Sequence, residues 1–281
     1  EHLRVQGVYC TNNAKEDYQF RKAVTAWDDS SRTAHWRNRG SDQPFFSVFN
    51  FNITHESQIW VQAENPLLVS EDLQVPIPPY LPDTAVAQRD VRQVYSNIVA
   101  MDQQVGQILE ELEQDGLLES TVIFWFSDHG GPLPRQKRLL YDAGLQVPMI
   151  IRYPDKWRAG ELDDQLISFV DFKSTTLSLA GIEPPEYVDG RAFAGKFQSS
   201  ESRQYIHAAA DRFDRQYDTI RAVRDERFKY LRNYYPERGY YLPLTYREQM
   251  PIMQELLRLK EQDALTAVSY THLRAHETSL H

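Results

Sequence analysis

Thr121-Val122-Ile123-Phe124-Trp125-Phe126-Ser127-Asp128-His129-Gly130-Gly131 is the stretch on which the reading of this chain turns. From Thr121 to Phe126 every residue is β-branched or aromatic. Such a run, with no alternation of polar and apolar positions, predicts a strand covered on both faces. It then breaks into an acid, an imidazole and two glycines, so Asp128 and His129 can both turn toward one point at the sheet edge. A carboxylate beside an imidazole suits a divalent cation. Taken alone, the same residues also make an ordinary turn with an exposed histidine.

Upstream, Pro44-Phe45-Phe46-Ser47-Val48-Phe49-Asn50-Phe51 shows the same non-alternating pattern and leads into Asn52-Ile53-Thr54-His55-Glu56-Ser57. Leu3 to Cys10 reads as a helix end entering a strand, and the polar stretch from Asp28 to Gln43 as loop. Val75 to Pro82, with four prolines, cannot be helical and predicts an extended crossing segment. Asp83 or Thr84 then offers an N-cap. Val91, Val94, Tyr95, Ile98, Met101, Val105, Ile108, Leu109 and Leu112 follow at helical period, predicting one buried stripe that ends by Gly116. Val147 to Tyr153 and Leu166 to Val170 are further strand candidates, and Asp171 to Ala180 a helix. Strands alternating with helices predict an α/β fold with a mostly parallel sheet between helices. Ligands in such folds gather at the carboxyl ends of the strands, which puts His55, Asp128 and His129 on one rim.

Beyond Pro184-Pro185 the character changes. Tyr205 to Ala210 and Thr219 to Tyr230 predict antiparallel strands, and Met250 to Glu261 a final helix. A smaller C-terminal antiparallel-sheet subdomain is therefore expected from about Asp189-Gly190 to residue 267, after a larger domain over residues 1–188. Residues 268–281 continue no pattern and resemble translated sequencing-adaptor read-through, so they are set aside as a non-native tail.

Composition narrows the function classes. Hydrophobic residues make up 41% and charged residues 25%, ordinary globular values, which argues against a disordered or fibrous chain. A net charge of −9 argues against broad nucleic-acid or anionic-membrane binding. No apolar run approaches the length of a membrane span. The one cysteine, Cys10, excludes an internal disulfide and any multi-cysteine metal site.

Against that acidic background, Arg135-Gln136-Lys137-Arg138 places three cations in four positions, enough to neutralise an anion bound near a metal or simply to form a solvated basic loop. His55 can donate to an oxyanion or protonate a leaving group. Like Lys15, it can equally be structural. Asp211 to Tyr217 interleaves Arg212 and Tyr217 with acids, a pattern suited to sugar rings. Salt-bridged surface strands give the same pattern.

The motifs occur together and in order as they do in the sulfatase family of the alkaline-phosphatase-like superfamily. Phe124 to Gly130 resembles that family's strand ending in Ser-Asp-His-Gly. Lys137 to Pro148 resembles its Lys-x-x-x-Tyr-Glu/Asp-x-Gly-x-x-Val-Pro segment. Val170-Asp171 through Leu179-Ala180-Gly181 to Asp189-Gly190 is similar to its Val-Asp-x-x-x-Thr-x-x-x-Leu-Ala-Gly and Asp-Gly stretch. Asn12 to Tyr18 and Phe49 to Ser57 are most similar to bacterial heparan N-sulfatase-like and arylsulfatase-type members.

The resemblance implies a hydrolase of sulfate esters or sulfamates on sulfated saccharides, with Asp128 and His129 as ligands of one divalent ion of the calcium type. It also implies that Lys137 and His55 touch the sulfate. Lys15 would occupy the lysine of the family's Gly-Lys-Trp-His motif, though Ala14 and Asp17 stand where glycine and histidine would be. The family's nucleophile is a formylglycine made in Cys/Ser-x-Pro-x-Arg, which occurs nowhere in these 281 residues. The chain is therefore expected to be an inactive fragment lacking an N-terminal segment, from a periplasmic or secreted enzyme. Two other readings stay open: a phosphomonoester or phosphodiester hydrolase of the same superfamily, with His207 as an extra ligand, and a non-catalytic protein that binds sulfated glycans.

Overall fold

A computed structural model describes residues 1–239 and 241–273. In chain order its strands are β1 (Tyr9–Asn13), β2 (Asp29–Ser30), β3 (Phe45–Phe49), β4 (Ile123–Phe126), β5 (Met149–Arg152), β6 (Ile206–Phe213), β7 (Gln216–Arg224) and β8 (Lys229–Asn233). The helices are α1 (Gln58–Val61), α2 (Ala85–Gln114), α3 (Asp142–Leu145), α4 (Val170–Leu179), α5 (Pro251–Glu261) and α6 (Ala267–Thr271). Two compact units result, each made of two stretches of chain: residues 1–51 with 164–206, and residues 52–163 with 207–281. That division follows contacts. The division near Asp189 follows chain order, and the two differ.

The first unit holds a parallel sheet in the order β2-β1-β3, with Tyr9 opposite Phe45 and Asn13 opposite Phe49. The Asp28–Gln43 stretch is more ordered than a loop. It contributes β2 and a 3-10 turn at Trp36–Asn38, whose Trp36 is buried and packs edge-on to Phe49. One large apolar side chain among polar neighbours is enough to pin the turn. The expected strand Leu166–Val170 is reduced to a single bridge between Leu166 and Arg203. The reason is local: the Asp171 carboxylate accepts the Ser168 N–H at 2.9 Å, a capping arrangement that starts α4 at Val170. Asp171 also accepts from the Arg191 N–H and from the Arg203 guanidinium, and so rivets this unit together.

In the second unit, β4 pairs with β5 antiparallel, Phe124 opposite Ile151. It is half-buried, with Phe126 exposed, so the expectation of a strand covered on both faces and joined in parallel is corrected. β3 is likewise half-buried along its length. β6, β7 and β8 form the separate antiparallel sheet. The single strand expected over Thr219–Tyr230 is a hairpin, because the Asp225 carboxylate accepts the N–H groups of Arg227 and Phe228 and closes a turn.

The core of this unit gathers Ile59, Val91, Met250, Ile252, Met253 and Leu256 between α1, α2 and α5. Thr84 caps α2 by accepting the Ala87 N–H, as its side chain predicts. The buried face of α2 is more polar than expected, however. Asp90, Gln93, Ser96 and Asn97 are buried beside Val91 and Leu112, whereas Tyr95 and Ile98 are exposed. Each polar group there meets a partner: Ser96 accepts the Leu68 N–H, and Asp90 accepts the Ile252 N–H at the start of α5. Of the stretch set aside as foreign, Val268 to Thr271 lies in α6 with Ser269 buried; residues 274–281 lie outside the described residues. No described helix is long and apolar enough to cross a membrane.

Candidate functional site

The loop after β4 is laced to the segment 137–144 by backbone hydrogen bonds. Gly130 N–H donates to Gly144 O (2.9 Å), Gly131 N–H to Ala143 O (3.3 Å) and Lys137 N–H to Gly131 O (3.0 Å). The approach is too close for a side chain: a Cβ on Gly130 would stand 1.9 Å from Ala143 O. Glycine at that position therefore sets where Asp128, His129 and Lys137 come to lie relative to one another.

His129 Nδ1 lies 2.8 Å from Gly130 O. A carbonyl only accepts, so Nδ1 donates to it, and Nε2 stands 3.5 Å from the Asp128 carboxylate. Two ligands held at right angles about 2.3–2.6 Å from one ion lie about 3.3–3.7 Å apart, so the pair fits one hard divalent cation. The Gly130 carbonyl supplies the outer contact that orients such a histidine. Among the described residues no group of three or more acidic, histidine or cysteine side chains that could hold a metal comes together.

Lys137 Nζ lies 3.0 Å from His55 Nε2 and 3.2 Å from Glu56 Oε1. An ammonium only donates, so His55 Nε2 accepts, while its Nδ1 lies 2.9 Å from Ser57 Oγ and 3.3 Å from the Ser57 backbone N–H. Glu56 is fully buried and also takes a two-pronged bond from Arg138, at 2.6 and 2.7 Å. Burial opposes the charge on Glu56, but the Arg138 guanidinium and the Lys137 ammonium outweigh it and hold its carboxyl below the ordinary glutamate range. Arg138 itself sits at φ +78°, a left-handed conformation that costs a non-glycine residue free energy. The fork onto Glu56 holds it there, and the adjoining Lys137 is thereby directed at His55.

The same segment grips the antiparallel sheet. Asp142, at the start of α3, pairs with Arg224 of β7 (2.7 Å) and Lys229 of β8 (2.6 Å), and Lys229 also donates to Leu140 O (3.0 Å). Arg224 and Lys229 are thus engaged in holding the sheet. Arg221 pairs with Asp211 at 2.7 Å. Arg212 and Tyr217 are both exposed and flank the Asp214-Arg215 hairpin tip. His207 is an exposed residue of β6, outside any metal-ligating group among the described residues.

Lys15 belongs to the first unit, where its carbonyl accepts from Asn12 Nδ2 at 2.9 Å. Cys10, also there, is buried, and burial pushes its thiol up to about 11. It stays protonated at neutral pH and is no nucleophile. The structure therefore brings His55 and Lys137 into contact and ties the Asp128–His129 loop to Lys137. Glu56 and Arg138 are the residues whose part the sequence did not show. Arg138 stood in the basic cluster, but nothing in the local pattern marks Glu56 as the buried acid that organises it.

A family model described as Sulfatase matches residues 9–182, and one described as N-sulphoglucosamine sulphohydrolase, C-terminal, matches residues 135–274. An "Ulvan-active sulfatase" from Formosa agariphila is 54% identical over 94% of this chain and 50% of its own length. Human "N-sulphoglucosamine sulphohydrolase" is 32% identical over 42% of this chain and 24% of its own length. A solved structure described as a complex with its substrate D-glucosamine-2-N,6-O-disulfate superposes with TM-score 0.60 at 15% identity, over 95% of this chain and 80% of that one, which shows a shared fold. The chain spans half the length of the first of these relatives or less.

Proposed function

The chain belongs to the sulfatase family, and from that premise we propose that the protein it is part of hydrolyses sulfate groups from a sulfated saccharide. The carrying observation is the Lys137–His55 contact, organised by buried Glu56 and tied through backbone bonds to Asp128 and His129. The 54%-identical relative, named as ulvan-active, puts an ulvan-type sulfated polysaccharide first among the substrates to try. A periplasmic or secreted location goes with a polymeric substrate.

In this reading Asp128 and His129 hold one divalent cation, of the calcium type, which would offset charge on the sulfate oxygens. The family's formylglycine would supply the attack at sulfur. Lys137 adds a positive charge on the same anion, where a fixed charge in a dry site acts mainly on the transition state. His55, drawing a proton from Lys137 or donating its own, protonates the leaving oxygen or nitrogen. Lys15 is proposed as a further cation on the family's sequence pattern alone. Residues up to 188 supply this chemistry, and residues 189–267, with Arg212 and Tyr217, read the saccharide. The test is sulfate release from ulvan oligosaccharides by the complete protein, with His55→Ala as control. Unchanged release by that variant contradicts the assignment.

A further inference from the structure

Along a strand, alternate residues share a face, and residues directly opposite on paired strands share it too. The β7–β8 register sets Ile220 opposite Asn233, Ala222 opposite Leu231 and Arg224 opposite Lys229. This is the inner face: Ile220, Ala222 and Leu231 pack with Leu140, and Asp142 pairs with both Arg224 and Lys229. Arg221 opposite Arg232 and Val223 opposite Tyr230 therefore turn outward, away from the segment 137–144. Tyr234 joins the outer face through its N–H, which donates to Thr219 O at 2.9 Å. Phe228, Tyr230, Arg232 and Tyr234, the alternate positions along β8 and its two ends, are all exposed.

The cations of this row rest on rings rather than on acids. Arg232 lies 4.6 Å over Tyr234, Arg227 4.9 Å over Phe228, and Arg238, just past the strand, 4.6 Å over Tyr235. The ion pairs of the sheet are Asp142 with Arg224 and Lys229, and Asp211 with Arg221. Arg227, Arg232 and Arg238 enter none among the described residues, although the chain holds 40 acids against 31 lysines and arginines. The two faces differ in one respect: the opposed cations Arg224 and Lys229 share a carboxylate, whereas Arg232, opposed to Arg221, has none. Like charges directly opposite repel, which favours an anion on the outer face. The exposed acids Glu226 and Glu237 stand outside residues 228–234. Tyr230 and Tyr234 are about 13 Å apart at roughly 3.4 Å per residue, more than one sugar ring spans.

We propose that the outer face of β7 and β8 is a docking surface for a sulfated polysaccharide chain. Sugar rings lie against Tyr230 and Tyr234, and sulfate esters meet the Arg232 guanidinium and its neighbours. The proposal takes its class of polymer from the hydrolase reading above and adds a place where the polymer is held without being cut.

The test is calorimetric binding of ulvan, desulfated ulvan and polyphosphate to the 281-residue chain, with no turnover in the readout. Ulvan is expected to bind, and both controls to bind at least about tenfold more weakly, one lacking the charge and the other the rings. Arg232→Gln should raise the Kd for ulvan about tenfold, and Tyr230→Ala about threefold to tenfold. Both side chains are exposed, so the variants should keep the wild-type circular dichroism spectrum. Arg21→Gln, which removes the same charge from the other compact unit, should leave the Kd within about twofold. No binding of ulvan, or equal weakening by Arg21→Gln and Arg232→Gln, overturns the docking surface. Equal binding of either control polymer also overturns it. So does a dimer in light scattering that Arg232→Gln dissolves, since the face would then be occupied by a second copy. None of these outcomes touches the hydrolase reading, which stands or falls on sulfate release by the complete protein.

Discussion

Glu56 is one carboxylate serving two cations, and its removal shows what the pairing does. Replacing it with glutamine leaves Arg138 and Lys137 facing a neutral amide in a buried site, which costs about 3–5 kcal/mol where one partner of a buried pair is lost. Glu56→Gln is therefore expected to lower Tm and to flatten the acid limb of stability. The sign follows from the depressed carboxyl of Glu56. Its stabilisation is complete above the unfolded value near 4.5 and is lost as pH falls through the lower folded value, so the difference between wild type and variant should shrink below about pH 4.5. A gap that stays constant in acid titrations followed by circular dichroism contradicts this. For Asp128 and His129, proposed as metal ligands, the expectation differs. In the complete protein Asp128→Ala should lose bound calcium together with turnover, while Lys137→Ala should keep the calcium and lose turnover. Equal metal loss, measured by elemental analysis, contradicts the division of roles. Asp128, His129 and Lys137 were legible in the sequence because a strand breaking into glycines, and cations crowding an acidic chain, are local patterns. Glu56 was not, since Arg138 lies 82 positions away, with Lys137 just before it, and an acid after a histidine carries no mark of burial.

At the scale of elements, what was legible was whatever a local signal fixes. Thr84 caps α2 and Gly116, at φ +68°, follows its end; α4 and α5 fall within a residue or two of their expected bounds. The strands were harder, because pairing partners and burial of a face are set by distant chain. β4 reads as a buried strand but pairs only with β5 among the described residues. Asp90 shows the same limit in α2. Burial pushes its carboxyl up to about 7, against the Ile252 N–H and Arg89. A folded value above the unfolded one means stability is full below about pH 3.8 and falls as pH rises toward 7, by up to about 1.4 kcal/mol per unit. Asp90→Asn keeps an acceptor for Ile252 and should remove that slope between pH 4 and 7 in denaturant titrations. A slope identical to wild type would exclude Asp90 as its source. The β6–β7 hairpin carries a kinetic expectation. Arg212→Ala or Tyr217→Ala should weaken kcat/KM on the natural oligosaccharide by about 1–3 kcal/mol and spare a small aryl sulfate. Parallel losses on both substrates point away from saccharide recognition.

On the scale of the whole molecule, each compact unit is assembled from two separated stretches of chain, so neither is complete until residue 206 or beyond has been added. The groups of the proposed centre share that dependence. His55, Asp128, His129 and Lys137 fall in the second unit, whose remaining sheet and closing helices come from residues after 206. On the proposed reading these residues would supply positive charge, a proton donor and two metal ligands, but none of them is a nucleophile of the family's kind. Cys10 is buried and protonated, and no Cys/Ser-x-Pro-x-Arg occurs in the 281 residues. Electrostatic stabilisation without an attacking group leaves hydrolysis to bulk water, and two ligands alone hold calcium weakly. The 281-residue chain is therefore expected to release no sulfate from ulvan oligosaccharides or an aryl sulfate, read by ion chromatography against a heat-inactivated control. The purified chain should also keep its fold by circular dichroism, which separates a missing nucleophile from a failure to fold. Sulfate release above the control, lost in Lys137→Ala, would mean that the centre described here is sufficient by itself and that the nucleophile must be sought among its own residues.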